Sequence, residues 1–335
     1  MYYRWINPLQ PWCTGMSKWL YLLSFLILIG CGSEQKPELT FTEKGREVPA
    51  FNVDSAYYFV NEQVELGPRV PNSEAHQKAI DYFEQKLTSY AGNNAVYIQR
   101  FEAEGYDETL KLGNMIAAFN LNSPDRIMLS AHWDSRPRAD MDSTESENPI
   151  LGADDGASGV GILLELARLF RDNPPPVGVD IVLFDGEDYG KSGDLGRYFL
   201  GSRYWSNNPP VPGYSPRFGI LLDMVGGESA QFPKEQYSVN YAPNLVDEVW
   251  NIADEKGYGG IFLNEQGAAV SDDHVIVNEQ AGIPIINVIH HYRKSNGVAE
   301  FPPYWHTQND DMDIISKETL QAVGEVMAEL IYNRL

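Results

Sequence analysis

Four short, almost wholly apolar runs constrain this chain most: RIMLSA at 126–131, DIVLF at 180–184, FGILL at 218–222 and PIINVI at 284–289. Runs of that length and apolarity suit strands covered on both faces, as in a parallel sheet clothed by helices, rather than a sheet with one wet face. Helical patterns separate and flank them. At 73–90, Ile80, Phe83, Leu87 and Tyr90 recur at helical spacing after Pro71-Asn72-Ser73, which offers an N-cap. Others lie at 159–170, around 244–256 and at 316–333, while 95–101 and 115–121 read as further strands. Strand alternating with helix, without a repeat or an interdomain linker, predicts one α/β domain over 51–335. Its core is an open, mixed, mostly parallel twisted sheet with helices on both faces. A composition of 43% hydrophobic and 12% aromatic residues supplies one large core. The polar stretch 136–149 has no periodicity and reads as a disordered loop or part of a substrate rim.

The residues just after these runs carry the chemistry. His132-Trp133-Asp134 comes after the first, Asp185-Gly186-Glu187-Asp188 after the second and Asp223 after the third. In an open parallel sheet those strand ends share one edge, and ligands bind in the crevice outside it. Several acidic groups meeting there repel strongly unless a cation lies between them. A metal ion is the economical answer. Gly152-Ala153-Asp154-Asp155-Gly156, a flexible acidic turn opening a helix, and Tyr304-Trp305-His306-Thr307 fit the same picture. His and carboxylate donors without Cys match a catalytic zinc site that keeps an open position. The charge balance, 25 Lys plus Arg against 47 Asp plus Glu for a net −22, with no basic run, excludes a nucleic-acid binder.

The first residues read as a targeting segment. WLYLLSFLILI at 19–29 is uncharged, too short to span a bilayer and flanked by Lys18, as in a signal-peptide h-region. It ends Leu28-Ile29-Gly30-Cys31, which resembles a bacterial lipobox, so Cys31 is expected to be the lipidated first residue of the mature protein, with Met16 as a possible true start. This predicts a lipoprotein of the cell envelope, held to the membrane through its lipid alone, with 31–50 as a polar tether. The two cysteines, Cys13 and Cys31, both precede the globular part, which excludes a disulfide framework.

GADDGASGV, LFDGED, LLDMVGG and WHT, in that order, resemble the zinc-dependent aminopeptidase-like family of M28 type, and within it the glutaminyl cyclases. AHWDS at 131–135, Gly201-Ser202-Arg203, and Ser271-Asp272-Asp273-His274 followed by Gly282-Ile283-Pro284 strengthen the likeness, which spans about Asn52 onward. It implies Asp155, Asp188 and His306 as ligands of one zinc, Glu187 as general acid/base, Asp223 and Asp272 as its hydrogen-bonding partners, and Trp305 and Phe301 as substrate-binding walls; Trp133, beside His132, is a further substrate-binding candidate by its own position rather than by the resemblance. The implied substrates are peptides with N-terminal glutamine, cyclised to pyroglutamate by a monomeric enzyme. The zinc polarises the γ-carbonyl, while Glu187 carries the proton from the attacking amine to the leaving ammonia. Asp188 stands where the animal enzymes carry Glu, and their cysteine pair is absent.

Two alternatives stay open. In a two-zinc aminopeptidase, His132 and Asp223 would hold a second ion, Asp155 would bridge both and Glu187 would activate water. In a non-catalytic binding lipoprotein the acid/base would be superfluous. Structural roles also compete at single positions: Asp155 as a helix N-cap, His132 with Asp134 as a hydrogen-bonded pair, Asp154 as structural or rim, and Trp133 as core packing. Asp310, Asp311 and Asp313 read as a solvated turn, and His76, His290 and His291 as structural or surface histidines; His274 has no nameable partner.

Overall fold

The computed structural model describes residues 39–335. Cys13, the apolar stretch at 19–29 and the expected anchor Cys31 lie outside them. The described chain from Leu39 to Leu335 is one compact unit. In order it forms α1 (Val53–Glu65), α2 (Glu74–Ala91), β1 (Val96–Glu104), β2 (Thr109–Phe119), β3 (Arg126–His132), α3 (Ala157–Asp172), β4 (Gly178–Phe184), α4 (Leu200–Asn207) and β5 (Gly219–Asp223). There follow β6 (Phe232–Lys234), α5 (Gln236–Tyr241), α6 (Pro243–Glu255), β7 (Phe262–Gln266), α7 (Asp273–Ile276), β8 (Ile285–Ile289) and α8 (Lys317–Glu329).

The main sheet has the order β1-β2-β4-β3-β5-β8. The four apolar runs are its parallel part, β4, β3, β5 and β8, each buried along almost its whole length. β1 and β2 form an antiparallel hairpin that joins β4 antiparallel, so the sheet is mixed, as expected. Register pairs His132 with Phe184 and Asp223 with Ile289, which brings the carboxyl ends of the parallel strands to one edge. One face buries α1, α3, α6 and α8 in the larger core; the other carries α4 and α7 over a smaller cluster that includes Met128, Phe184, Trp205 and Leu221.

Helix α2 starts where its sequence says, with Ser73 accepting the N–H of His76. Helices α1 and α4 carry no sequence expectation, although Asn52 caps α1 by accepting the Ser55 N–H and Phe59, Val60 and Val64 repeat at helical spacing. β2 begins at Thr109, well before the expected 115, because its alternating first half, with Leu110 and Leu112 buried, pairs in register with β1. Two expectations are corrected. Residues 39–50, assigned to the tether, pack on the body: Lys44 N–H donates to Asn333 O over 2.7 Å, Arg46 Nη1 to Leu335 O over 3.0 Å, and Phe41 meets Phe218 edge-on. Of the two readings of 136–149, the disordered loop is the one overturned: Ala139 N–H donates to Asn148 O, Ile150 N–H to Arg136 O and Met141 N–H to His306 O, and Arg136 is fully buried.

Candidate active site and metal centre

The turn after β4 places Glu187 and Asp188. Gly186 takes φ +69°, a conformation that costs glycine little. Both oxygens of Asp134 accept backbone N–H groups, from Glu187 at 3.0 Å and Asp188 at 3.2 Å. The first residues of α4 hold the other side, Phe199 N–H on Glu187 O and Leu200 N–H on Gly186 O. Behind the turn, buried Asp185 accepts from Gly113 N–H at 2.6 Å and lies 3.0 Å from His76 Nε2.

The turn before α3 places Asp155. Asp310 is fully buried, and its two oxygens accept the N–H groups of Asp154 (2.7 Å) and Asp155 (3.1 Å), so the solvated-turn reading of Asp310 is wrong. Buried Arg69 ties the same segment down through Trp133 O, Leu151 O and Gly152 O. Gly156 has φ +102°, and a Cβ there would sit 2.6 Å from Asp134 O. It holds the N-cap position of α3 without a side-chain bond, so Asp155 does not cap the helix. Asp154 turns away, accepting from Gly226 N–H and Tyr304 O–H.

These carboxylates meet His132 and His306 in two buried groups that share Asp155. In each of Asp155/Asp188/His306 and His132/Asp155/Asp223, the ligand-type atoms all lie within 4.8 Å of one another. His306 Nε2 is 3.6 Å from Asp155 and 3.5 Å from Asp188, and its Nδ1 is 3.4 Å from Asp140. His132 Nε2 is 3.0 Å from Asp155 and 3.3 Å from Asp223. These short His132 contacts lack hydrogen-bond alignment: both its ring nitrogens, Asp223 Oδ1 and Asp188 Oδ2 are buried without a hydrogen-bond partner. Buried carboxylate oxygens facing each other and an imidazole, with nothing between, are costly unless a cation receives them. The residues therefore fit a divalent metal.

The electrostatics agree. Burial, followed by the charges of Asp188, Asp272 and Asp273, pushes Glu187 well above the usual carboxylate range against the pull of His132. Burial and Asp272 do the same to Asp223. Burial raises Asp188 to about 6 although Arg136 and His306 oppose it. For Asp155 burial is outweighed by His132 and His306, and its pKa is lowered. Arg136 links the ligand Asp188 to Asp140, which faces His306: Nη1 is 2.5 Å from Asp188 Oδ1, and Nε and Nη2 grip Asp140 at 2.8 and 2.6 Å.

Above this floor lies a cleft of about 180 Å³, whose apolar walls include Phe301, Trp305, Val270, Met224 and Ile289. The Phe301 and Trp305 rings meet at a tilt, centroids 4.5 Å apart, and Trp305 stacks on the His306 ring at 3.6 Å. Asp272 reaches the cleft, steadied by Asn287 Nδ2 at 2.6 Å and by the Asp273 N–H. Three residues of the cleft, Phe199, Met224 and His306, have positive φ, a clustering of strain usual at functional sites. Thus Asp155, Asp188, His306, Glu187, Asp223, Asp272, Phe301 and Trp305 converge as expected. Trp133 does not: it is fully buried beneath the edge, stacked on His76 and donating its indole N–H to Gly113 O, so its place among the substrate walls is corrected to core. Asp134 supports the turn through its N–H groups. Sequence reasoning missed Tyr198 on the wall and the supports Arg136, Asp140, Asp310 and Arg69. Arg136 and Asp140 sat in a stretch without periodicity, though Arg136 directly follows the AHWDS motif.

An open α/β sheet with buried carboxylates and imidazoles at its carboxyl edge defines a metal-dependent enzyme of the exopeptidase-like type. The chain belongs to peptidase family M28, whose profile matches residues 114–331. Among solved structures, the glutaminyl cyclase of Bacteroides thetaiotaomicron bound to N-acetylhistamine is 46% identical, with 85% of this chain and 99% of that chain covered and a TM-score of 0.80. A Zn-dependent exopeptidase from Parabacteroides distasonis is 44% identical, over 86% of this chain and all of that one, with a TM-score of 0.81. Among curated relatives, aminopeptidase YwaD of Bacillus subtilis is 27% identical over 88% of this chain, which spans 60% of that protein's length.

Proposed function

We propose that this protein is a glutaminyl-peptide cyclotransferase, an acyltransferase that converts N-terminal glutamine of peptides to pyroglutamate with release of ammonia. It uses one zinc, held by Asp155, Asp188 and His306, with Glu187 as general acid/base. The observation that carries the reading is the cleft. It is about 180 Å³ with aromatic and aliphatic walls, and Glu187 lies at its floor beside the Asp155/Asp188/His306 group. That is room for one folded side chain. The likeness to a glutaminyl cyclase at 46% identity supports the same reading.

Bound there, zinc supplies a Lewis acid for the γ-carbonyl oxygen. The α-amine attacks its own side-chain carbonyl carbon, the ring C–N bond forms and the bond to the amide nitrogen breaks. Glu187, its pKa raised by burial and neighbouring acids, accepts the proton lost by the amine and returns it to the departing ammonia. Asp272, fixed by Asn287, and Asp223 line the cleft beside Glu187, and the charge of Asp272 helps to raise the Glu187 pKa. Phe301 and Trp305 keep the substrate folded and exclude water, which favours ring closure over hydrolysis.

The second reading, a two-zinc aminopeptidase, rests on the His132/Asp155/Asp223 group. Against it, Asp155, Asp188 and His306 all line the cleft, whereas His132 of the second group does not. Glutamine-initiated peptides test the choice. The cyclase releases ammonia and leaves each peptide about 17 Da lighter, ammonia leaving by intramolecular acyl transfer; the aminopeptidase releases free glutamine. Lipidation at Cys31 in the cell envelope is proposed with it, and a mature N-terminus other than a lipid-modified Cys31 by mass spectrometry overturns that anchor.

A further inference from the structure

Tyr198 lines the cleft, although no motif points to it. Arg136 Nη2 donates to its phenolic oxygen over 3.0 Å. A guanidinium has donors only, and this one is fixed, because its other nitrogens are committed to Asp188 and Asp140. The oxygen of Tyr198 therefore has a permanent donor on one side. Its own proton points elsewhere, and among the described residues no hydrogen bond takes it. Burial pushes the phenol up to about 12, so the proton is present throughout the physiological range. The cleft thus contains an O–H donor, aimed by a buried cation and unpaired within the protein.

On the cyclase reading, on which this inference rests, the substrate brings two carbonyl oxygens of its first residue into the cleft. The reacting side-chain oxygen belongs with Asp155, Asp188 and His306, and the amine faces Glu187. The main-chain carbonyl of the same glutamine is then left without a partner, and an acceptor taken out of water without a donor is penalised. We propose that Tyr198 is a substrate-binding residue that donates its phenolic proton to the main-chain carbonyl of the N-terminal glutamine, with Arg136 as the positioning residue that aims it. Recognition of the peptide carbonyl then sets specificity. Substrates that keep the glutamine side chain and amine but lack that carbonyl lose affinity, and the chemistry of the reacting amide is unchanged.

The test is a cycle of two enzymes and two substrates. Zinc-loaded wild type and Tyr198→Phe are each given a Gln-Phe dipeptide amide and its (E)-alkene isostere, in which CH=CH replaces the first peptide bond. Ammonia release is followed against concentration, with zinc content measured for both proteins. With the dipeptide, Tyr198→Phe should raise KM about tenfold, the scale of one hydrogen bond between uncharged groups, with kcat within about twofold. The wild type should lose a similar factor on going to the isostere, and the variant should treat both substrates alike. The proposal is overturned if the variant's loss is as large on the isostere as on the peptide, if it falls on kcat alone, or if the variant matches the wild type. Failure of the underlying reading looks different, because the wild type then releases no ammonia from the dipeptide.

Discussion

Arg136→Met is the most informative single substitution outside the ligands. The side chain is fully buried, and its donors reach Asp188 Oδ1 at 2.5 Å, Asp140 at 2.6 and 2.8 Å and Tyr198 at 3.0 Å. Methionine keeps much of the volume and removes the charge. Asp188 is already held up at about 6 by burial with Arg136 opposing that rise. An opposite charge at such a distance is worth about 1–3 pKa units, so without it Asp188 should titrate between about 7 and 9. Protons then compete with zinc for this ligand at neutral pH. At pH 6.5 a ligand moved from about 6 to about 8 is deprotonated roughly twentyfold less often, and zinc affinity should fall by about tenfold or more. The assay is competition with a chromophoric zinc chelator at pH 6.5 and 8.5. The deficit should be large at the lower pH and shrink at the higher, where Asp188 ionises unaided. Equal zinc affinity of variant and wild type at pH 6.5 would refute the reasoning, as would a deficit independent of pH. The metal-free variant should also unfold more easily, by about 3–5 kcal/mol, because half of a buried pair remains.

Glu187→Gln should lower kcat by about 10²–10⁴ while zinc content stays at the wild-type level, since Glu187 moves a proton and is not a ligand; loss of zinc would mean that its role has been exchanged with that of Asp188. Metal-free protein should lose stability as pH rises from about 4 to 6. Asp154 and Asp188 have folded-state values near 6, above ordinary carboxylates, so the folded state binds more protons there and their contribution is present at low pH and lost on ionisation. Thermal unfolding with a chelator present checks this, and a Tm that climbs across that window contradicts it. Trp133→Ala should cost about 3–5 kcal/mol in denaturant unfolding, as for large core aromatics, and leave KM within about twofold; a KM defect without lost stability would return Trp133 to the substrate walls.

Much of the site was legible because the strands announce themselves. An apolar run buried on both faces ends where a charged residue comes next, so Glu187, Asp188 and Asp223 could be placed on one edge before any coordinates. Asp155 and His306 lie in glycine- and aromatic-flanked turns whose text resembles the M28 family. The residues that escaped act over long range. Asp310 looks like one acid among several in a polar turn, and only the fold reveals that it accepts the N–H groups of Asp154 and Asp155. Arg136 and Tyr198 meet beneath the cleft wall from segments far apart in sequence. Trp133 misled because it adjoins His132, yet it turns beneath the edge onto His76 and Phe83. Positive φ at Phe199, Met224 and His306 is invisible in residues that are not glycine.

The central claim is a one-zinc cyclase, and the most direct test measures metal stoichiometry and product on the same purified sample. Protein covering at least residues 39–335 is loaded with zinc, freed of excess and analysed for metal, then given a glutamine-initiated peptide whose products are resolved by mass spectrometry. The account predicts one zinc per chain, ammonia, and a peptide about 17 Da lighter with its sequence intact. Two zincs per chain with free glutamine and a peptide one residue shorter would contradict it.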